Sequence, residues 1–147
     1  MEEVKDILTG LDRYEEFLKK LELEIQKMDS YRIAIIYTDI KYFKYINDTF
    51  GYQRGDMLLK EFTRQVTQGN AGMLCAARVF SDNIVMASRV SNDISNEEVR
   101  ETVNRHNREM EERFRENYSA ARLKFCTGIS FISKEDRRLD PATAVSN

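Results

Sequence analysis

Hydrophobic residues recur with a helical period near the start of the chain. Apolar side chains spaced three and four residues apart between Tyr14 and Met28 predict one amphipathic helix after a short lead-in. Residues 32–38 then form a nearly continuous apolar run, which is typical of a central strand covered on both faces. The pattern therefore predicts a leading helix within residues 1–30, followed by a buried strand.

Similar patterns predict two more helices and three more strands. In chain order these are a helix at about 55–67, strands at 73–79 and 84–88, a helix that starts after residue 95, and a strand at 123–132. The short connection between the second and third strands predicts an antiparallel hairpin. Ser95 followed by Glu98 forms a capping box at the start of the last helix. His106 lies on that helix's apolar stripe and is predicted to be a packed or boundary residue rather than a ligand.

The order of these elements defines the expected fold. After the leading helix it reads βαββαβ, which predicts an α+β protein with a ferredoxin-like core, an antiparallel central sheet and helices on one face. In this topology the first and third strands are neighbours at the centre of the sheet. The chain is therefore predicted to be one domain over residues 1–147, with a core at 31–132 and a polar tail at 133–147.

Composition and charge narrow the class of protein. The 147 residues include 41% hydrophobic residues, which suffices for a packed core. A net charge of −2 argues against a duplex nucleic acid partner. No apolar run approaches the ~20 residues of a membrane span, and no signal-peptide pattern follows Met1, so a cytoplasmic location is expected. Cys75 and Cys126 lie in predicted strands and are expected to be small buried residues.

Two acidic residues occupy positions that the predicted topology brings together. Asp39 ends the first strand, and Asp82 lies in the hairpin just before the third strand. Paired carboxylates on adjacent strands are a common seat for Mg²⁺, which completes its coordination with water and substrate phosphates. The alternative is that Asp39 caps a helix and Asp82 is an ordinary turn residue.

A longer pattern surrounds the first of these acids. Its segments are D-I-K-Y-F-K-Y-I-N-D at 39–48, F-G-Y at 50–52, G-D at 55–56, D-I-L-T-G-L at 6–11 and C-T-G-I at 126–129. Together they resemble the GGDEF domain, the bacterial diguanylate cyclase family, over nearly the whole chain. The resemblance implies a nucleotidyl-cyclase-like fold and a place in cyclic-di-GMP signalling.

The resemblance also implies one group of metal ligands and one group of nucleotide-binding residues. The implied Mg²⁺ ligands are Asp39, Ile40 and Asp82. The implied nucleotide-binding residues are Tyr42, Phe43, Lys44, Asn47 and Asp56. By this resemblance, Lys44 and the backbone amides around Tyr42 and Phe43 would hold the triphosphate of GTP. The Asn47 side-chain amide and the Asp56 carboxylate would recognise guanine. The residues alone leave open structural roles for Asn47 in a turn and for Asp56 as a helix cap.

The segment that gives the family its name is altered in this chain. The family's G-G-[DE]-E-F corresponds to Phe80-Ser81-Asp82-Asn83-Ile84, which keeps the metal-binding aspartate. Larger residues replace both glycines, which would crowd a nucleotide that needs close backbone approach. Asn83 replaces the acid proposed to assist the attacking 3′ hydroxyl, and an amide cannot accept that proton near neutral pH. The resemblance therefore implies a degenerate signature without catalytic residues.

Other positions also depart from the family pattern. Lys41 replaces the acid that is usual two residues after the first metal ligand, and a lysine there would compete with a second metal ion. Ala71 and Leu74 stand where the product-inhibition motif has its arginine and aspartate. The family's final helix is expected after the last strand, so the C-terminal part is interpreted as truncated from a longer protein. Arg78 either faces phosphate or is a solvated strand residue.

Three functions are compatible with these residues. The first is a degenerate GGDEF domain that binds GTP and Mg²⁺ and regulates a fused neighbour, expected to be a cyclic-di-GMP phosphodiesterase or a sensor domain. The second is an active diguanylate cyclase that works as a homodimer and converts two GTP to cyclic di-GMP. The third is a structural dimerisation or docking domain with an empty site. The degenerate signature favours the first.

Overall fold

A computed structural model describes residues 5–68, 70, 72–80, 82–118 and 123–136. The helices and strands are α1 (Tyr14–Lys27), β1 (Tyr31–Lys41), α2 (Phe43–Phe50), α3 (Tyr52–Gln68), β2 (Met73–Phe80), β3 (Asn83–Ser91), α4 (Asn96–Tyr118) and β4 (Lys124–Ile132), and a short 3-10 turn follows at Lys134–Asp136. Most of the predicted polar tail and Ser81 of the altered signature lie outside the described residues. None of the described helices is both long and apolar enough to cross a membrane.

The four strands form one antiparallel sheet in the order β2-β3-β1-β4. This order confirms the predicted ferredoxin-like topology, with the first and third strands adjacent at the centre. The predicted hairpin is also confirmed, because β2 and β3 pair along their length. The sheet therefore brings the end of β1 next to the turn that precedes β3.

Helices cover both faces of the sheet. Because side chains alternate along a strand, Ile33 and Ile35 of β1 face one side, and Ala34 and Ile36 face the other. The first side packs against Phe17, Leu21 and Ile25 of α1 and against Met28, which follows the helix. The other side packs against α3 and α4, and Phe62 of α3 stacks on a β4 phenylalanine with ring centroids 4.8 Å apart. Both faces of β1 are thus buried, as its continuous apolar run predicts.

Several element boundaries differ from the predictions. β1 extends through Lys41, because Asp39 pairs with Asn83 of β3 on one side and with Cys126 of β4 on the other. The helix predicted from residue 55 begins at Tyr52. The leading helix, by contrast, spans Tyr14–Lys27 and matches the predicted apolar spacing between Tyr14 and Met28 after a short lead-in. The two differences arise because hydrogen-bonded pairing and tertiary contacts, not local apolar spacing, set where an element ends.

The capping box is confirmed, but the predicted apolar stripe of α4 is wrong at His106. The Glu98 backbone N–H donates to Ser95 Oγ at 3.1 Å. His106 is exposed, and its neighbour Asn107 is buried and donates to Thr127 Oγ1 of β4 at 3.1 Å. A polar residue takes the buried position because β4 supplies a hydrogen-bond partner there.

The lead-in before α1 forms a turn that is fixed to β2. The Asp6 carboxylate accepts hydrogen bonds from the Thr9 backbone N–H at 2.8 Å and from the Thr9 hydroxyl at 2.7 Å. It also pairs with Arg78 of β2, with Nη1 and Oδ1 3.2 Å apart. Arg78 thus has a structural partner, which is neither of the two roles predicted from the sequence.

The two cysteines have different environments. Cys75 is buried in the core beneath α1, and burial raises the pKa of its thiol to about 12. Cys126 is partly exposed beside Asp39, so the expectation that both are buried is wrong for Cys126. The reason is that β4 is an edge strand, and Cys126 lies near the end of β1 rather than under α1.

Candidate functional site

The two candidate metal ligands lie close to each other in the sheet, one in β1 and one in the turn before β3. Asp39 of β1 is the cross-strand partner of Asn83, the residue after Asp82. The Ile40 backbone N–H donates to the Asp82 carbonyl oxygen at 3.0 Å, which fixes the turn against β1. Asp39 is therefore inside a strand, and the alternative that it caps a helix is wrong. Asp82 does lie in the hairpin turn, where its backbone is held against β1.

The charges of both acids act on the same tyrosine. Burial raises the pKa of the Tyr37 phenol, and the negative charges of Asp39 and Asp82 raise it further. Tyr37 and Asp39 face the same side of the sheet, because they are two residues apart on one strand. The topology has thus brought the charges of two acids that are distant in sequence close to one tyrosine.

Each of these carboxylates already has a side-chain partner. Lys41 Nζ lies 2.7 Å from Asp39 Oδ2, and the hydrogen bond to Asp39 raises the pKa of Lys41. Asn83 Nδ2 donates to Asp82 Oδ1 at 2.9 Å. Both partners are residues at which the chain departs from the family pattern. These substitutions therefore affect the charge and the free lone pairs of the two acids directly.

The residues fit one divalent cation, not two. Within the described part of the chain, no three Asp, Glu, His or Cys side chains are grouped so that they could hold a metal ion. Asp39 and Asp82 supply two carboxylates, and Ile40, whose side chain is apolar and fully buried, can offer a backbone carbonyl. One Mg²⁺ needs one or two carboxylates plus water and phosphate oxygens, so this set suffices when a nucleotide is bound.

The N-terminus of α2 is suited to bind an anion. Its N-cap residue, Tyr42, has a left-handed backbone with φ of 65°, and no side-chain hydrogen bond caps the helix. The first turn contains no acidic residue, so the unpaired backbone N–H groups of that turn are not screened. Phe43 is buried and anchors the turn, whereas Lys44 is exposed beside it. Backbone amides and an ammonium group thus share one end of α2.

The junction between α2 and α3 holds Asn47 against Gly55. A Cβ added at Gly55 would lie 1.8 Å from Asn47 Oδ1, so no larger residue fits without moving the amide. Asn47 Oδ1 is buried without a hydrogen-bond partner among the described residues, which is an uncommon state for a polar atom. Asp56 follows Gly55 and is partly exposed within α3. Asp56 does not cap that helix, because α3 begins at Tyr52.

The altered signature lies at the tip of the β2–β3 hairpin. Phe80 is the last residue of β2, and its ring is 66% exposed. Ile84, in contrast, is buried in the core between the sheet and α3. Phe80 therefore presents a large apolar surface to solvent, whereas Ile84 is part of the core.

The predicted site residues lie apart from a cavity on one face of the sheet. A cavity of about 550 Å³ lies between the sheet, α3 and α4, but none of the predicted metal or nucleotide residues line it. Asp39 and Asp82 lie where β1 ends and the hairpin turns, whereas Tyr42, Phe43 and Lys44 lie at the start of α2. Asn47 lies in α2 against Gly55, and Asp56 follows in α3.

Comparisons with known proteins agree with this architecture. Among curated proteins, the uncharacterized protein YhcK of Bacillus subtilis is 36% identical over 77 residues, which are 50% of this chain and 21% of that protein. The biofilm architecture maintenance protein MbaA of Vibrio cholerae is 36% identical over 90 residues, which are 60% of this chain and 11% of that protein. The chain therefore matches a small part of each of these relatives.

Solved structures show the same fold at low sequence identity. The GGDEF domain of DgcB from Caulobacter crescentus, in complex with c-di-GMP, has a TM-score of 0.73 and 17% identity, and the match covers 99% of this chain and 85% of that one. A sensory box/GGDEF family protein from the same organism has a TM-score of 0.69 and 23% identity, with 97% and 95% covered. The family model described as "Diguanylate cyclase, GGDEF domain" matches residues 3–145. The chain therefore belongs to the GGDEF domain family of cyclic-di-GMP signalling.

Proposed function

We propose that this GGDEF domain binds guanine nucleotide, with GTP as its ligand, and acts as a regulatory module rather than as a diguanylate cyclase. The observation that carries the proposal is the pairing of Asp39 with Lys41 and of Asp82 with Asn83. A site that builds cyclic di-GMP must hold metal ions and deprotonate a 3′ hydroxyl. Here a lysine and an amide bond to the two acids, so both requirements are weakened while the nucleotide-binding residues remain.

The base would be recognised at the α2–α3 junction. Asn47 has a buried carboxamide oxygen without a partner, and Asp56 lies one residue beyond the glycine that Asn47 contacts. An amide and a carboxylate together match the donors and acceptor on the edge of guanine. A buried amide that gains its partner from a ligand also discriminates strongly against bases that lack that group.

The phosphates would lie across the start of α2. The backbone amides around Tyr42 and Phe43, together with the Lys44 ammonium, would bind the anionic chain. Mg²⁺, when bound at Asp39, Ile40 and Asp82, supplies charge neutralisation for the phosphate oxygens. In this role the protein positions and holds the nucleotide, and none of its described side chains is placed as a general base.

The absence of a cyclase reaction follows from the same residues. Asn83 cannot accept the proton of the attacking hydroxyl near neutral pH, because an amide lacks a basic site. The Phe80 ring extends from the hairpin tip at 66% exposure, where a second nucleotide would approach. Both features act on the reaction with a second GTP and not on the binding of the first.

A regulatory module needs a neighbour to regulate. The matched segment is 21% of one curated relative and 11% of the other, which supports a place for this domain within larger signalling proteins. We propose a cyclic-di-GMP phosphodiesterase or a sensor domain as the neighbour and the cytoplasm, where GTP is abundant, as the location. A homodimer is not required for nucleotide binding alone.

The proposal is tested by titrating GTP into the domain with Mg²⁺ present and by incubating GTP at high protein concentration. We expect calorimetric binding heat that Asn47→Ala abolishes, and no cyclic di-GMP on chromatography. ATP serves as the ligand control and should bind at least about tenfold more weakly. Absence of GTP binding would favour a structural docking domain, and appreciable cyclic di-GMP would favour an active cyclase.

A further inference from the structure

The residue after the candidate metal ligands carries a positive charge of its own. Lys41 and Asp39 are two residues apart on β1, so their side chains leave the same face of the sheet. The ammonium nitrogen lies 2.7 Å from Asp39 Oδ2, and the two side chains are 52% and 28% exposed. The pair is therefore accessible to solvent and is not a buried structural ion pair.

A second lysine lies directly opposite the first. Lys41 is the cross-strand partner of Lys124, the first residue of β4, and Lys124 is exposed. Like charges at directly opposed positions destabilise a sheet unless an anion lies between or beside them. Asp39 compensates part of this charge, and a bound polyphosphate would compensate the rest.

The two lysines at this end of the sheet disfavour a second cation. Lys41 and Lys124 there accompany Asp39 and Asp82, and Lys44 adds an ammonium group in the first turn of α2. A divalent cation must compete with a lysine that already occupies Asp39, whereas a phosphate chain meets ammonium groups and the backbone amides of α2.

On the basis of the nucleotide site proposed above, we infer that the Lys41 ammonium takes the place of a divalent cation, so that the domain binds the polyphosphate of its guanine nucleotide without requiring Mg²⁺. Lys41 bridges Asp39 and the phosphate oxygens, which is the charge-neutralising role of a metal ion. Magnesium can still enter with the nucleotide but adds little affinity. The inference makes nucleotide binding in this domain independent of the free Mg²⁺ concentration.

The test is a pair of GTP titrations by calorimetry, one with Mg²⁺ and one with EDTA. The wild-type domain is expected to show dissociation constants that differ by less than about threefold. The Lys41→Asp variant is expected to bind at least about tenfold more weakly in EDTA and to recover affinity when Mg²⁺ is added, because it regains a carboxylate in place of the ammonium. Lys41→Arg keeps the charge and should remain insensitive to EDTA.

A matched control distinguishes the site from overall charge. Lys134→Asp makes the same charge change at the far end of β4, where Lys134 pairs with Asp29 at 3.5 Å, and should leave both titrations unchanged. Wild-type binding that occurs with Mg²⁺ and vanishes in EDTA would overturn this inference and sustain the proposed function. Binding in neither condition would overturn both. Full affinity of Lys41→Asp in EDTA would show that Lys41 does not contact the phosphates.

Discussion

The segment from Tyr37 to Asp56 and the tip of the β2–β3 hairpin border the same candidate site but keep different amounts of the family pattern. In the segment, buried residues alternate with site residues: Phe43 and Ile46 are in the core, and Lys44 lies between them. At the hairpin tip, Phe80 is 66% exposed, and backbone pairing holds the strands. Substituting a residue that both packs in the core and borders the site would affect stability and ligand binding. Substituting a residue at the tip would affect ligand binding alone.

The comparison explains how the fold survives an altered signature. The hairpin is stabilised by hydrogen bonds that any residue with a backbone N–H can make, so it does not depend on the two glycines of the family. The α2–α3 junction depends on one glycine, Gly55, because Asn47 occupies the space a side chain would need. The chemistry can therefore be lost at the tip without loss of the fold or of the binding segment.

The largest expected effect comes from restoring the family's residues at the tip of the β2–β3 hairpin. We expect the triple variant Phe80→Gly, Ser81→Gly, Asn83→Glu to form no more cyclic di-GMP than the wild type, because Lys41 still occupies Asp39. Adding Lys41→Asp to the triple variant is expected to raise product formation by at least about a hundredfold, because the general base that Asn83→Glu restores then acts beside a free Asp39 carboxylate. Chromatography of GTP incubations measures both.

The control for that experiment is the rebuilt variant with Asp82→Ala, which removes a candidate metal ligand and should be inactive. If the triple variant, which keeps Lys41, formed cyclic di-GMP, the prediction that Lys41 blocks the reaction would be wrong. Inactivity of all variants would show that residues outside the tip and β1 also limit the reaction.

A second prediction compares two phenylalanines of opposite burial. Phe62 of α3 is 1% exposed and stacks on Phe125, so Phe62→Ala should lower the free energy of unfolding by about 3–5 kcal/mol. Phe80→Ala, at the tip, should change it by less than about 0.5 kcal/mol. Urea denaturation monitored by circular dichroism gives both values. Similar losses from both variants would mean that the tip is part of the core.

The smallest expected effect concerns the glycine under Asn47. Gly55→Ala places a methyl group 1.8 Å from Asn47 Oδ1, which forces the amide to move. We expect a loss of about 1 kcal/mol in stability, since the clash outweighs the helix propensity of alanine, and about a tenfold loss in GTP affinity. Thermal denaturation and calorimetry measure the two effects.

Gly128→Ala is the matched control for that variant. An added Cβ at Gly128 meets no atom within 4 Å, and its backbone φ is not positive. It should therefore change stability by less than about 0.5 kcal/mol and leave GTP affinity intact. If both alanine variants bound GTP normally, the role of Asn47 in base recognition would be wrong.

Local patterns in the sequence determined the elements and their order. The apolar run before Asp39 has the composition of a strand buried on both faces, and Ser95 with Glu98 is a local hydrogen-bonding unit, so both were predictable without tertiary information. The order βαββαβ then restricts the sheet to very few arrangements, and the central position of β1 followed. The family pattern at 39–56 added the identity of the candidate site residues.

The tertiary structure alone decided which side chains meet. Arg78 with Asp6 and Asn47 with Gly55 are contacts whose geometry depends on turns and helix junctions that periodicity does not encode. His106 illustrates the same limit, because the burial of its neighbour depends on a partner in β4. Hydrophobic spacing is a property of one helix or strand, and it can therefore be read from the sequence. A polar contact between two elements depends on how they pack, and so only the tertiary structure decided which polar side chains meet.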